Sequence, residues 1–153
     1  MTVPIREIAS DELPALLGLY SHLHPEEEMQ TPGEVMPLWE TLRQDPNQHC
    51  LGAYVAGFLA ATCTLVVVQN LTHGGRPYGL IENVVTHPDY QRRGLGTAVL
   101  KHALQAAWEH RCYKVMLLTG SKTEGKLHFY EQAGFERGVK TGFVAYPTPD
   151  TQF

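Results

Sequence analysis

Apolar positions recur at three- and four-residue spacing near the start of the chain, at Leu13, Leu16, Leu17 and Tyr20, and predict an amphipathic helix. Ser10 reads as its N-cap, with Asp11 and Glu12 favoured in the first turn. A short strand over residues 3–8 precedes it. A polar stretch over 22–33, with three consecutive glutamates, then separates this helix from a second over 34–44. There Val35, Leu38, Trp39 and Leu42 share a face, and Pro37 is tolerable only near the first turn.

The period then changes. Residues 50–55 and 58–69 are rich in Val, Leu, Ala and Thr with Gly57 between them, the pattern of an antiparallel hairpin. A turn-rich link over 70–77 leads to a strand over 78–86. Leu95, Val99, Leu100, Ala103, Leu104, Ala107 and Trp108 keep the helical period and predict a long helix over 94–110. A central strand over 115–119 follows, then a helix over 124–133 closed by Gly134, then one or two strands over 135–146. The order β-α-α-β-β-β-α-β-α-β predicts a mixed α/β (α+β) fold. Its strand–helix–strand unit over 80–119 is a right-handed parallel crossover. The length of 153 residues suits one domain over 1–153.

Charge narrows the function. Twelve Lys and Arg against 16 Asp and Glu leave a net charge of −4, which argues against a nucleic-acid partner. Three cysteines, Cys50, Cys63 and Cys112, form no closely spaced pair, so zinc-knuckle and thioredoxin readings fall away. Reduced thiols and a cytoplasmic location are expected. The apolar stretch over 54–68 is broken by Gly57, Thr62 and Thr64 and is too short for a membrane span. The N-terminus lacks the pattern of a secretory signal. The histidines are scattered, with only His22 and His24 close together, so no metal is expected.

The stretch that carries chemistry is Gln91-Arg92-Arg93-Gly94-Leu95-Gly96-Thr97, between a strand and a helix. Two glycines admit close backbone approach, the helix start offers free N–H groups, and two arginines add positive charge. That combination suits a pyrophosphate. A Walker loop would need Lys and Ser or Thr after the second glycine, which Gly96-Thr97-Ala98 does not supply. A dinucleotide fingerprint would need a third glycine where Val99 stands.

The run from Leu80 to Leu100 resembles the acetyl-CoA signature of the GNAT superfamily of N-acetyltransferases. Phe129-Tyr130-Glu131-Gln132-Ala133-Gly134-Phe135 resembles that superfamily's later signature. The resemblance covers nearly the whole chain. It implies a mostly antiparallel sheet, flanked by helices, with a V-shaped split between two parallel strands and acetyl-CoA in the split. Backbone groups of Val84, Val85 and Thr86 would hold the pantetheine arm. Amides across Gln91, Arg92, Arg93, Gly94, Leu95, Gly96 and Thr97 would hold the pyrophosphate, and Ser121 would stand in for an Asn that relatives place where this chain has Thr123.

The resemblance also implies the chemistry. Glu82, the one acidic residue of its strand, is the candidate base, with Leu80, Glu82 and Val84 on one face unless a bulge intervenes. Tyr130 aligns with the usual general acid; a phenol is protonated at neutral pH. Asn83 is read as orienting substrate or bracing a bulge, and His87 as a turn residue. His73, Arg76 and Arg92 are candidates for a phosphate or carboxylate on the acceptor. The glutamates at 26–28 and Glu34 are candidates for attracting a cationic amine. The run from Ile81 to Val85 is similar to that of glucosamine-6-phosphate N-acetyltransferases, which keeps a sugar phosphate among the options. The expectation is acetyl transfer from acetyl-CoA to a primary amine of a small molecule, without metal and with a homodimer as one option for the assembly. A protein or peptide N-acetyltransferase and a non-catalytic acyl-CoA-binding regulatory domain are the alternatives.

Overall fold

A computed structural model describes residues 2–153. They form two compact units, one ending at Leu117 and one spanning Leu118–Phe153. The first contains β1 (Ile5–Glu7), α1 (Leu13–Leu23), α2 (Pro32–Gln44), β2 (Gln48–Val55), β3 (Phe58–Val68), β4 (Tyr78–Thr86), α3 (Leu95–Glu109) and β5 (Val115–Met116). The second contains α4 (Glu124–Gln132).

The five strands lie in chain order, antiparallel from β1 to β4, with β4 and β5 parallel. The β2–β3 hairpin turns on Ala56 and Gly57, both at positive φ (48° and 81°), the handedness a tight two-residue turn between twisted strands requires. β5 stops at Met116, short of the expected 119, and pairs only at Gly79–Val115 and Leu80–Met116. At Gly79 a Cβ would sit 3.1 Å from both Leu65 and Val115, so the strands are tight there. Beyond Leu80, β4 has no β5 partner. The mixed sheet with its split between two parallel strands is as expected.

Two helical layers cover this sheet. Val99, Leu100, Ala103 and Ala107 of α3 are fully buried, as are Cys63, Leu65 and Ile81 of the strands, and Cys63 Sγ lies 3.8 Å from the Val99 carbonyl. On the other face Leu13, Leu16 and Leu19 of α1, Trp39 of α2 and Ile8, Tyr54, Leu59 and Val85 form a second cluster. Among the described residues no helix is long and apolar enough to cross a membrane.

The helix starts differ from expectation. Ser10 lies in a short 3-10 turn (Ser10–Glu12), and its hydroxyl donates to Glu40. Glu12 does the capping instead: its carboxylate accepts the Ala9 N–H at 2.7 Å, a two-pronged Arg6 fork at 2.8 Å each, and the Tyr54 hydroxyl at 3.0 Å. α2 begins at Pro32, so Pro37 falls in its second turn and leaves the Gly33 carbonyl without its helical donor.

The Arg6 fork, ahead of the other donors, holds the Glu12 carboxyl down at about 2. A carboxyl lowered in the folded state stabilises it above the ordinary value of 4.5 and loses that contribution as pH falls toward 2. Arg6 is half exposed, so solvent weakens the pair. Glu12→Gln should therefore lower the denaturation midpoint at pH 7 and converge on wild type near pH 2; an equal deficit at both pH values would overturn this.

In the second unit, α4 ends as its Gly134 predicts. Gly134 takes φ 112° and the Phe135 N–H returns to the Tyr130 carbonyl at 3.2 Å. Arg137 grips Glu124 through two 3.0 Å bonds and reaches Glu131 at 3.3 Å. The strands expected over 135–146 are absent among the described residues. Val139, Phe143, Val144 and Tyr146 are exposed, and extended backbone without a hydrogen-bonded neighbour is not a strand.

Candidate functional site

The first turn of α3 carries the arrangement expected for an anion. Gly94 is its N-cap at φ 76°, ψ 9°, and no side chain caps the helix. The carbonyl of Gly94 accepts the Ala98 N–H at 2.9 Å, as a helix start requires. The amides of Leu95, Gly96 and Thr97 precede any intrahelical partner. A Cβ on Gly94 would meet no atom within 4 Å, so the approach is open. Arg92, itself at φ 62°, and Arg93 are exposed and pair with no carboxylate among the described residues; Arg93 lies 5.0 Å over the Tyr90 ring. Gln91 is exposed beside them.

β4 leads into this turn and is bulged. Thr64 of β3 faces Glu82, and Thr62 faces Val85, so Asn83 and Val84 share the single partner position at Cys63. Asn83 absorbs the extra residue at φ 55°, a conformation Asn tolerates better than most side chains. The bulge reverses the alternation. Thr62 and Thr64 share a face, so Glu82 shares it with Val85, and the expected set of Leu80, Glu82 and Val84 is broken at Val84. Glu82 is exposed, Val84 and Thr86 are half-buried, and Val85 joins the cluster under α1.

Four polar groups that the sequence reading did not single out as a unit meet on that face. The Tyr20 hydroxyl lies 3.8 Å from Cys50 Sγ, with Thr64 and Asn83 beside it. Thr64 Oγ1 lies 4.0 Å from Cys50 Sγ. Burial pushes the Tyr20 phenol and the Cys50 thiol up, so both stay protonated near neutral pH. They line a cavity of about 270 Å³ together with Asn83 and residues of α1 and α2. The available signal in the sequence was the pair Thr62 and Thr64, two hydroxyls at alternate positions of a strand that is otherwise apolar. Burial also pushes Cys63 up to about 12 and raises Cys112, so neither of these thiols is an activated nucleophile.

Other candidates have different work. His87 Nδ1 accepts the Asp89 N–H at 3.2 Å and caps the turn after β4, while its ring packs 4.7 Å from His22. His24 lies 3.6 Å from Glu26, so His22 and His24 turn to different neighbours. His24, Glu26 and Glu27 do bring ligand atoms within 4.8 Å of one another, all exposed. Arg76 donates to the carbonyls of Arg111 (3.1 Å) and Cys112 (3.3 Å), and His73 stacks on Tyr113 at 3.8 Å. Both brace the approach to β5. In the second unit the Ser121 hydroxyl pairs with Thr123 at 3.2 Å. Tyr130 sits on α4 between the rings of Phe129 (4.9 Å) and Phe135 (6.4 Å).

The family model described as Acetyltransferase (GNAT) family matches residues 9–135. The chain belongs to this family. A solved structure from Agrobacterium tumefaciens str. C58, assigned as an acetyltransferase, superposes with a TM-score of 0.90 at 39% identity, covering 94% of this chain and 99% of that one. A GNAT relative named glucosamine 6-phosphate N-acetyltransferase, from Trypanosoma brucei brucei, is 37% identical over 79 residues, 52% of each chain. The Schizosaccharomyces pombe protein of the same name is 33% identical over 76 residues, 50% of this chain and 66% of its own length. The match thus spans about half to two thirds of these two curated relatives.

Proposed function

We propose that this GNAT chain, as one domain over residues 1–153, moves the acetyl group of acetyl-CoA to a primary amine of a small molecule by direct attack, with both substrates bound together. The observation that carries this reading is the α3 start: amides at 95–97 without intrahelical acceptors, an open left-handed Gly94, and two arginines that pair with no carboxylate among the described residues. That donor set fits a pyrophosphate. The amides of residues 92–97 hold it, with Gln91 at the rim, and Ser121 contacts the pantetheine arm. Backbone groups of Val84, Val85 and Thr86, on the part of β4 that β5 leaves unpaired, hold that arm like an added strand.

When bound, acetyl-CoA supplies an activated thioester carbonyl. A backbone N–H at Val84 or Val85 stabilises the negative charge that develops on its oxygen. Glu82 takes the proton the amine loses, directly or through water, and Tyr130 offers its phenolic proton to the departing sulfur.

Calorimetry with acetyl-CoA, followed by a thiol-release screen over amino sugars, polyamines, amino acids and peptides, tests the reading. Micromolar acetyl-CoA binding and amine-dependent CoA release are expected. Tyr130→Phe should lower kcat at least tenfold without weakening acetyl-CoA binding tenfold. Binding without turnover of any amine would favour the non-catalytic acyl-CoA-binding alternative, and no binding would overturn the assignment of the α3 turn.

A further inference from the structure

The cavity between α1, α2 and the sheet is larger than close packing leaves behind. Its volume is about 270 Å³, against roughly 150 Å³ for an apolar cavity that admits benzene. Leu16, Leu17, Val35, Leu38, Trp39 and Leu42 supply most of its wall. Several of its polar groups gather at the sheet, where the Tyr20 hydroxyl and Thr64 Oγ1 both lie against Cys50 Sγ and Asn83 lines the same wall. Arg43 is the one cation among the described lining residues, and it is engaged elsewhere: Nε donates to the Ile8 carbonyl at 3.3 Å and Nη1 to Glu40 at 3.5 Å. The exposed acidic groups nearby in sequence stand apart from this lining: Glu26 lies 3.6 Å from His24, and the Glu34 carboxylate accepts the Thr31 N–H at 2.8 Å. An apolar wall with no uncommitted basic side chain among the described lining residues suits an amine with an apolar body. It suits a phosphorylated sugar poorly.

We infer that this cavity receives the apolar body of the acceptor, an aryl or branched alkyl group, and directs its amine at the β4 bulge. Asn83 lines the cavity, and the next residue back along the strand is Glu82. The inference rests on the acetyl-transfer reading above and names its substrate class: a primary amine carrying a compact apolar group.

The cavity contains its own reporter. The chain has two tryptophans; Trp39 lines the cavity and Trp108 is half exposed on α3. In a Trp108→Phe background, Trp39 emission is followed while 2-phenylethylamine, ethylamine, glucosamine 6-phosphate or hexanoyl-CoA is added. In parallel, kcat/KM with acetyl-CoA is measured for the three amines, in wild type and in Leu38→Asp, whose side chain is 58% exposed and tolerant of a charge.

Phenylethylamine is expected to change Trp39 emission and to exceed both other amines at least tenfold in kcat/KM, the discrimination an apolar pocket gives for one or two methylenes. Leu38→Asp is expected to cut the phenylethylamine-to-ethylamine ratio tenfold. A preference for glucosamine 6-phosphate, or an unchanged Trp39 signal with phenylethylamine, overturns the inference. A Trp39 response to hexanoyl-CoA but not to the amine overturns it too, and gives the cavity to the donor's acyl chain. If phenylethylamine moves Trp39 and acetyl-CoA binds, yet no amine is acetylated, the acetyl-transfer reading fails and the acceptor assignment with it. If amines are acetylated without the apolar preference, only the substrate class falls.

Discussion

Glu82→Gln is expected to lower kcat for amine acetylation by about 10²–10⁴-fold, the range a positioned proton acceptor supplies. The amide keeps the size and shape of the carboxylate but cannot accept a proton at neutral pH. Glu82 is exposed on β4, facing Thr64, one residue before the bulge at Asn83. Its replacement removes no core contact, so the thermal midpoint should stay close to that of wild type. A purely structural role would leave the pH profile unchanged. A base role predicts a deficit that narrows as pH rises, because an amine that loses its proton to solvent no longer needs the carboxylate. The profile of kcat/KM against pH for both proteins decides this. A Gln variant within threefold of wild type across the range would assign the base to another group.

Gly94→Val is expected to weaken acetyl-CoA binding at least tenfold. A β-branched residue at φ 76° pays on the order of 1–3 kcal/mol in backbone strain, and ten-fold in affinity corresponds to about 1.4 kcal/mol. The added Cβ meets no wall, since nothing lies within 4 Å of it, so the fault it causes lies in the backbone conformation. If the turn relaxes out of the left-handed region, the amides of Leu95, Gly96 and Thr97 no longer point to a common centre. If it does not relax, the strain appears as lost stability instead. Calorimetry with acetyl-CoA beside a thermal melt separates the two. Gly94→Ala, with less crowding, should fall between Val and wild type, and equal affinity with an equal thermal midpoint in all three would overturn the role of this turn.

The catalytic reading and the cofactor reading were legible in the sequence to different degrees. The Gly94–Gly96 spacing opens α3 within a residue of where the periodicity starts it, because a helix start and a left-handed glycine are local events. The hairpin, the long helix and the parallel crossover are local in the same sense: period, turn residues and element order specify them. Element ends that depend on a neighbour were less legible. β5 stops at Met116 because β4 pairs with it only over Gly79 and Leu80. The run over 135–146 has strand-like composition but no ladder among the described residues. Ser10 looks like a cap by type, yet the carboxylate of Glu12, tethered by Arg6 and Tyr54, reaches the Ala9 amide instead.

The family, the order of elements up to α4, the glycine turn that opens α3 and the acidic residue of β4 therefore follow from the order of residues along the chain, since each depends on neighbours within a few positions or on a contiguous motif. The tertiary structure decided which side of the sheet each β4 residue faces, because one extra residue at Asn83 reverses the alternation and only the register with β3 reveals it. It also decided that Tyr20, Cys50, Thr64 and Asn83, spread over more than sixty positions of the chain, share one apolar cavity. Such an assembly is made by the packing of α1 and α2 on the sheet, and no local pattern encodes it.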